Sequence, residues 1–443
     1  MDVSGYFNFQ ATTPLASEVS KSIYESCLNE WGNPSSNDVF GQRYNWKFSK
    51  ASINRSRAQV ARLIGSKPED IIFTSGGTES NNIAIISAYE HYIENHKQNS
   101  NFDTSSNLPH FIISNIEHPA VLEPIKHLMN KNLISVSYLP TKSNGSVDIE
   151  SIKKHLTEYK NIAMISVMLV NNETGVINDI KSLVEIVRSF EKNFKSKKNS
   201  GMSRILIHTD AAQAIGKIRV DVSELGIDYL TVVGHKSFTL LLFPKIYGPR
   251  IGALYAKSPS KYTPVYPIVH GADQERGFRP GTENTPMIAG LGVACGLISE
   301  NLDSYIKHYL DMTNYFKQQI IEFKPVDFLK ISYAHDNSSK IIPNTLNFSV
   351  SFLNNQPNCL NEKLYNSDLS DLLSNYKIYI GKGSACHSGL KVNSPVLSAM
   401  GMSPENMSTS LRFSVGRETN YSHIDNFVKT YWDVVLSLVR SEV

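Results

Sequence analysis

The stretch Phe73-Thr74-Ser75-Gly76-Gly77-Thr78-Glu79-Ser80-Asn81-Asn82 follows a short apolar run and opens a helical pattern. Its two glycines allow another group to approach the backbone closely, and a helix N-terminus presents unpaired N–H groups that favour an anion. The stretch therefore predicts a strand, a phosphate-binding turn and a helix, which form one unit of an α/β protein. A Gly-Gly turn before a helix is also common as a plain connection, so other parts of the sequence must decide its role.

The region between residues 50 and 260 alternates short β-branched runs with helical patterns. The runs at 70–74, 110–113, 162–167 and 205–208 are short and largely apolar, which predicts strands that are buried on both faces. We therefore expect an α/β fold with a mainly parallel central sheet and helices on both faces.

The pattern changes after about residue 300 to a helix, then strands, then a final helix. Residues 344–350 alternate as a strand does, and residues 424–439 have the spacing of a closing helix. We therefore expect a large domain over residues 16–301 and a smaller α+β domain that combines residues 1–15 with residues 302–443.

The composition is that of an ordinary soluble globular protein: 443 residues, 41% of them hydrophobic and 19% charged, with a net charge of +3. So small a charge gives no support to a nucleic-acid or membrane partner. The four cysteines are scattered without a CxxC pair, which argues against a disulfide framework and a zinc cluster. The N-terminus has no basic stretch followed by an apolar run, so we expect a cytosolic protein.

The segment His208-Thr209-Asp210-Ala211-Ala212-Gln213 places an acid at the end of a buried strand, where ligands of α/β sheets tend to bind. A carboxylate there could hold the proton of a pyridinium ring. The alternative interpretation is that Asp210 caps a helix.

The segment Val233-Gly234-His235-Lys236 places a lysine directly after another predicted strand. A lysine in an enclosed site can have a lowered pKa and form a Schiff base, although an isolated lysine is normally a surface residue. A phosphate-binding turn, a strand-end acid and a strand-end lysine, in this order, are what an enzyme needs to use pyridoxal phosphate as an electron sink.

Apart from the order of these three features, several sequence motifs of the chain resemble those of fold-type I pyridoxal-phosphate enzymes. Among these enzymes, the motifs are most similar to those of the cysteine desulfurase and selenocysteine lyase family. The resemblance runs over nearly the whole chain. The matching motifs are Ala11-Thr12-Thr13-Pro14, Gly32-Asn33-Pro34-Ser35-Ser36, Gly76-Gly77-Thr78-Glu79-Ser80-Asn81-Asn82, Glu117-His118, Asn171-Asn172-Glu173-Thr174-Gly175, Gly234-His235-Lys236, Arg279-Pro280-Gly281-Thr282-Glu283-Asn284, Gly383-Ser384-Ala385-Cys386 and Leu411-Arg412-Phe413-Ser414.

The resemblance implies a role for each site residue. Lys236 would bind pyridoxal 5'-phosphate covalently and move the substrate's α-proton, and Arg412 would clamp the substrate carboxylate with its planar guanidinium. Thr282 would come from a neighbouring subunit, which implies a homodimer. The remaining contacts would be made by His118 stacked on the ring, Asp210 on the pyridine nitrogen, Asn172 and Gln213 on the ring hydroxyl, and Gly77, Thr78 and His235 with Thr282 around the phosphate.

The resemblance also assigns Cys386 to the substrate's chalcogen atom. Cys386 lies in a glycine-rich loop sequence, where a thiol can be exposed and partly ionised. The usual role of a lone cysteine is that of a small buried hydrophobic residue, and Cys27, Cys295 and Cys359 keep that interpretation. The products would be alanine with either selenide or a persulfide on Cys386.

Local resemblance favours selenocysteine as the amino-acid substrate. The segments 247–255 and 274–291 look most like those of eukaryotic selenocysteine lyases, and a selenium acceptor would then be a possible partner. A departure is Pro119 after His118, where animal lyases commonly carry Asp and many desulfurases Lys. The first alternative is a cysteine desulfurase that passes sulfur from Cys386 to a carrier.

A second departure lies beside the reactive lysine. Residues 237–246 stand between Lys236 and Tyr247-Gly248-Pro249, where relatives have one residue before Tyr-Gly-Pro, so that residues 237–245 are a nine-residue insert. Because Lys245 precedes Ile246-Tyr247-Gly248-Pro249, it competes with Lys236 for the cofactor. Lys236 keeps the strand and the Gly-His lead-in, and we prefer it. The insert leaves open a catalytically silent binding or scaffold protein, whereas a plain aminotransferase would have no use for Cys386.

Overall fold

The computed structural model describes residues 4–36, 46–97, 107–195, 204–236, 249–353, 363–382 and 394–439. The predicted catalytic residue Cys386, the competing Lys245 and the insert at 237–245 lie outside the described residues. All other predicted site residues lie within them.

A seven-stranded sheet forms the centre of the larger part of the molecule, with the strand order β2-β8-β7-β6-β5-β3-β4. The strands pair in parallel except for β8, which runs antiparallel to both β2 and β7. The predicted α/β class with a mainly parallel sheet is therefore confirmed. The strands are β2 (Ile71–Thr74), β3 (His110–Ser114), β4 (Ser135–Leu139), β5 (Ile162–Ser166), β6 (Leu206–Asp210), β7 (Tyr229–Val233) and β8 (Gly252–Ala256).

Both faces of this sheet are covered by helices. Ile112 of β3 packs into one hydrophobic core, while Phe111 and Ile113 pack into another, because successive side chains of a strand point to opposite faces. The helices that accompany the sheet are Ser17–Asn29, Trp46–Leu63, Gly77–Lys97, Pro119–Asn130, Ile152–Glu158, Ile180–Lys195, Val222–Leu225 and the first part of Thr285–Glu322.

A second, five-stranded sheet has the order β1-β11-β12-β10-β9. Its strands pair antiparallel, except that β1 from the beginning of the chain pairs in parallel with β11. The strands are β1 (Tyr6–Phe7), β9 (Leu329–Tyr333), β10 (Thr345–Phe352), β11 (Tyr379–Lys382) and β12 (Leu411–Ser414), and the helices Leu369–Ser374 and Tyr421–Val439 pack into its core. Two short helices, Pro395–Ala399 and Pro404–Ser408, lie between β11 and β12 in the chain, and Val396 and Leu397 pack into the core of the large sheet.

One long helix, Thr285–Glu322, joins the two parts. Its first half contributes Ile288 and Ile298 to the core of the large sheet, and its second half contributes Phe316 and Ile320 to the core of the small sheet. The helix therefore fixes the two sheets to each other through two separate apolar contacts.

In the described part of the chain, no helix is both long and apolar enough to cross a membrane. The same residues contain no group of three or more His, Cys, Asp or Glu side chains that could hold a metal ion.

Candidate active site

The predicted phosphate-binding turn lies between β2 and the helix Gly77–Lys97, beside the carboxyl end of β7. A Cβ atom at Gly77 would stand 2.5 Å from the Val233 side chain, so only glycine permits this approach, whereas a Cβ at Gly76 would meet no atom within 4 Å. Thr78 is exposed at the first turn of the helix. The turn therefore offers open space in front of a helix N-terminus, where an anion is stabilised.

Lys236 lies in the short 3-10 turn Gly234–Lys236, directly after β7. Gly234 is required there because a Cβ would stand 2.6 Å from the Pro249 carbonyl oxygen. The backbone N–H of Thr13 donates to the carbonyl of His235 over 3.1 Å, so the Ala-Thr-Thr-Pro motif holds the turn in place. Burial, and after it the Lys236 charge, lowers the pKa of His235 to about 4. Its imidazole is therefore neutral at physiological pH.

Asp210 is the last residue of β6, as predicted, and is 7% exposed. Its Oδ1 accepts from the Ala212 N–H over 2.8 Å. Residues 212–214 form a turn and not the start of a helix, so the alternative interpretation of Asp210 as a helix cap is wrong. Its Oδ2 accepts from Asn81 Nδ2 over 2.9 Å. Each oxygen retains acceptor capacity, since an ionised carboxylate has about four lone-pair sites. These two hydrogen bonds and a contact with a ligand are therefore compatible.

A chain of hydrogen bonds inside the sheet ends on this carboxylate. Thr231 donates its hydroxyl proton to Asn81 Oδ1 over 2.6 Å, which leaves its oxygen to accept from His208 Nε2 at 3.2 Å. His208 Nδ1 then accepts from Ser166 at 2.8 Å. Burial lowers the pKa of His208 to about 4, although Asp210 opposes the shift. The neutral histidine therefore donates through Nε2 and accepts through Nδ1, and the chain ends with the Asn81 side-chain amide donating to Asp210.

His118 caps the helix Pro119–Asn130, and its Nδ1 accepts from the Ala120 N–H over 3.1 Å. The ring proton therefore belongs on Nε2. Burial, followed by the positive charge of Lys236, lowers the pKa of His118, and Asp210 acts in the opposite direction. Pro119 occupies the first helical position, where a missing N–H costs nothing, so this departure from relatives is compatible with the local fold.

Gln213 lies just beyond Asp210, and its side chain is 4% exposed. Its Nε2 donates to the backbone carbonyl of Gln10 over 3.2 Å, and its Oε1 accepts from Lys217 Nζ over 2.7 Å. Lys217 is buried as well, and neither it nor its contact with Gln213 was predicted. Burial, and then the charges of Lys236 and Arg412, place the pKa of Lys217 well below its ordinary value.

Arg412 is in β12 and only 1% of its surface is exposed. Its Nη1 donates to the Asn172 carbonyl over 2.7 Å and its Nη2 to Asn8 Oδ1 over 2.8 Å. A Cβ at Gly381 would stand 3.0 Å from the guanidinium, so this glycine makes room for it. Arg412 thus links the small sheet to the predicted Asn172.

Two buried acids of the matching motifs had no predicted role. Glu117, next to His118, accepts from Ser114 over 2.5 Å and from the Met168 N–H over 2.7 Å, and burial raises its pKa to about 8. Glu173, next to Asn172, accepts from the hydroxyl of Ser394. Burial raises the pKa of Glu173 to about 7, while the hydrogen bond from Ser394 and the charge of Arg412 lower it.

Thr282 is exposed, in a loop whose conformation is fixed by ion pairs to the phosphate-binding region. Arg57 forms two hydrogen bonds with Glu275, of 2.6 and 2.7 Å, and Glu275 also accepts from the Phe73 N–H. Arg279 donates to Glu79 over 2.8 Å. The two ion pairs therefore connect this loop to the helix Trp46–Leu63 and to the start of the helix Gly77–Lys97.

The structure brings most of the predicted site residues to one place. The charges of Lys236 and Asp210 both act on His118, and those of Lys236 and Arg412 both act on Lys217. Sequence reasoning missed Lys217, Glu117 and Glu173. The only sequence feature that indicated a role for the two acids was their position next to His118 and Asn172. No sequence feature indicated that Lys217 is buried, because an isolated lysine is normally exposed.

Comparison of the sequence and structure of this chain with those of known proteins shows the family to which it belongs. The profile of the family Aminotransferase class-V matches residues 5–427. The chain is 40% identical to the selenocysteine lyase of Rattus norvegicus, over 96% of this chain and 92% of the relative. It is 34% identical to the cysteine desulfurase IscS of Dictyoglomus turgidum, over 94% of this chain and 90% of the relative. A solved structure titled NIFS-like protein superposes with a TM-score of 0.76 at 27% identity, covering 97% of this chain and 98% of the other.

The chain therefore belongs to the class V aminotransferase family of enzymes. Within that family, its described relatives are selenocysteine lyases and, at lower identity, cysteine desulfurases.

The side chains at the site fit pyridoxal phosphate. A helix N-terminus faces open space at Gly76, a carboxylate stands at the end of β6, and a primary amine stands at the end of β7. Lys217, Lys236 and Arg412 bring three cations near each other, and a phosphate, an ionised ring oxygen and a substrate carboxylate would compensate this charge.

Proposed function

We propose that this chain is a pyridoxal-phosphate-dependent selenocysteine lyase, which converts L-selenocysteine to L-alanine and selenide, with the selenium delivered to a reductant or an acceptor. The observation that carries the proposal is that Lys236 and Asp210 end neighbouring strands of the sheet, with His118 and Arg412 in the same charged cluster. A selenocysteine lyase from another organism is 40% identical over nearly all of the chain, which supports the choice of substrate.

Asp210 would accept a hydrogen bond from the protonated pyridine nitrogen of the cofactor, and the donors Asn81 and Ala212 would hold its carboxylate in position. Bound pyridoxal phosphate would supply an electron sink for negative charge at the substrate α-carbon. Thr78, Gly77, His235 and the helix N-terminus would bind the phosphate. Asn172 and Gln213 would contact the ring hydroxyl.

Lys236 would bind the cofactor through Nζ and would move the proton at the substrate α-carbon. His118 would stack on the ring in its neutral form. Arg412 would bind the substrate carboxylate, and its anchors at Asn172 and Asn8 would keep the guanidinium from turning during the reaction. Orientation of this kind lowers the entropic part of the barrier.

Cys386 would receive or direct the chalcogen atom. Alanine forms when the carbon–selenium bond breaks and a proton is added to the β-carbon, which leaves selenium without its two bonding electrons. A thiol reductant that supplies two electrons then releases it as selenide, or an acceptor protein takes it over. With cysteine the same step leaves a persulfide on Cys386, and this cysteine desulfurase activity is the second candidate, supported by the IscS relative.

Three further proposals go with this function. The chain acts as a homodimer, because the exposed Thr282 would complete the phosphate site of a neighbouring subunit. It works in the cytosol. It binds no nucleic acid and takes a small amino acid as substrate.

Trapping the cofactor tests the proposal and also decides between Lys236 and Lys245. The purified protein is loaded with pyridoxal phosphate, reduced with borohydride and digested, and the modified peptide is sequenced by mass spectrometry. We expect the label on Lys236 and its loss in Lys236→Ala. A label on Lys245 would correct the assignment, and a protein that takes up no label would be the catalytically silent relative.

A further inference from the structure

Lys217 is a buried basic residue to which the proposed function above assigns no role. It is 4% exposed, and its Nζ donates to Gln213 Oε1 over 2.7 Å. No acid within the described residues forms an ion pair with it. A buried ammonium without a carboxylate partner costs several kcal/mol, so its presence requires a compensating interaction.

The surroundings of Lys217 make this cost larger. The charged groups that act on it are Lys236, at the end of β7, and Arg412, in β12 of the other sheet. Both are cations, and both lower its pKa after burial does. Three converging positive charges point to an anion as the missing partner, since an anion would favour the charged form of each of them.

Lys217 also determines which end of the Gln213 amide faces the site. An ammonium group has three donors and no acceptor, so Gln213 must turn Oε1 towards it. Both N–H groups of Gln213 Nε2 then point away from Lys217, and one of them donates to the Gln10 carbonyl at 3.2 Å. The second N–H is left to donate to a bound ligand. A group that can only donate favours the ionised form of a ring hydroxyl.

We propose that Lys217 is a positioning residue for the cofactor, which fixes Gln213 as a hydrogen-bond donor and adds a positive charge that stabilises the ionised ring oxygen. The inference rests on the proposed function, because it assumes that pyridoxal phosphate is the ligand. It goes further by giving the contact a direction: Gln213 donates, and the ring oxygen accepts.

The test replaces Lys217 by methionine, which fills a similar volume without charge. Apoprotein is titrated with pyridoxal phosphate, and the absorption of the bound cofactor is then followed against pH. We expect Lys217→Met to bind the cofactor at least about tenfold more weakly, as loss of a charged hydrogen bond predicts. The midpoint of the pH titration should rise by about one unit, because a removed positive charge favours a protonated neighbour.

Two comparisons separate this role from a merely structural one. The apoprotein of Lys217→Met should unfold at the same or higher denaturant concentration than wild type, because an uncompensated buried charge is gone. Lys217→Arg should restore part of the shift in the pH midpoint. The matched control is Lys192→Met, at an exposed lysine of the helix Ile180–Lys195, which should behave as wild type.

The results distinguish a wrong role for Lys217 from a wrong proposed function of the protein. A wild-type protein that binds no pyridoxal phosphate would overturn the proposed function itself. A wild type that binds it, together with a Lys217→Met variant of unchanged affinity and unchanged pH midpoint, would overturn only the role of Lys217. A variant whose apoprotein is strongly destabilised would show that Lys217 supports the fold instead.

Discussion

Asp210 depends on Asn81 for one of its two donors. Replacing Asn81 by leucine, which has a similar shape, leaves Asp210 Oδ2 without the 2.9 Å hydrogen bond and the carboxylate less firmly positioned. A hydrogen bond to a charged group contributes about 1.5–3 kcal/mol, so cofactor affinity should fall by roughly ten- to a hundredfold. Titration of the apoprotein with pyridoxal phosphate measures the change. Asn95→Leu, at an exposed position of the same helix, is the control, and equal affinities for both variants would contradict this role of Asn81.

Glu173 should give the apoprotein a measurable pH dependence of stability. Burial raises its pKa from 4.5 to about 7, so the folded state binds a proton that the unfolded state has released in this interval. The free energy of unfolding therefore falls as the pH rises from 4.5 through 7, by on the order of 3 kcal/mol. Denaturant unfolding at several pH values should show a flatter profile for Glu173→Gln. Glu158→Gln, at an exposed glutamate, should keep the wild-type slope, and parallel profiles for all three proteins would refute the assignment.

For single residues, the sequence was sufficient to predict the polar site residues that lie at the ends of strands. Asp210 and Lys236 were predictable because a buried apolar run that stops at a polar residue marks the edge of a sheet. Lys217 and the direction of the chain through His208, Thr231 and Asn81 were not predictable. Both depend on which side chains from different strands meet, and a single sequence does not contain that information.

Among the elements, the loop that carries Thr282 has an unusual backbone. Glu275, Arg276 and Gly277 have φ angles of +47°, +63° and +80°, which is costly for the two residues that have a Cβ. The ion pair of Arg57 with Glu275 holds this conformation, and its guanidinium also donates to the Ile71 carbonyl.

Breaking the ion pair between Arg57 and Glu275 should lower the free energy of unfolding by more than the loss of a surface contact does. Arg57→Met leaves Glu275 as a buried charge without its partner, which costs about 3–5 kcal/mol. The double variant Arg57→Met/Glu275→Gln should recover part of this loss, because no buried charge remains. Denaturant unfolding of the single and double variants measures the coupling. Arg62→Met on the same helix, at an exposed position, should change little, and additive single effects would show that the pair is not coupled.

Prediction of the elements succeeded where a local pattern was enough. The predicted strand at 344–350 appears as β10, and the predicted closing helix appears as Tyr421–Val439. The pairing of β1 with β11 could not be predicted, because it joins Tyr6 and Phe7 to residues near the other end of the chain. The antiparallel direction of β8 could not be predicted from the sequence either, because a buried strand has the same composition in either direction.

For the whole molecule, dimerisation can be tested by mixing two inactive variants. In a Lys236→Ala/Thr282→Ala heterodimer, one site would have its own Lys236 and receive Thr282 from the other subunit. We expect alanine release at up to about half the wild-type rate per heterodimer, although each homodimer is inactive or weakly active. Differently tagged chains allow the heterodimer to be purified. Activity no greater than the sum of the homodimers would show that Thr282 acts within its own subunit.

The division into residues 16–301 and residues 1–15 with 302–443 remains a prediction. Two sheets with separate cores lie on either side of the helix Thr285–Glu322, and the proposed boundary falls inside that helix. The roles of Cys386 and of the insert after Lys236 also remain predictions, since both lie outside the described residues. Each can be tested by substitution or deletion in the intact chain.

The central claim is that Lys236 carries a cofactor with which this chain cleaves the bond between carbon and selenium. The most direct test measures alanine release by the cofactor-loaded protein from selenocysteine and cysteine in parallel, with Lys236→Ala as control. We predict rapid release from selenocysteine, much slower release from cysteine and none in the variant. Comparable turnover of cysteine would identify a desulfurase, and alanine formation that persists in Lys236→Ala would contradict the account.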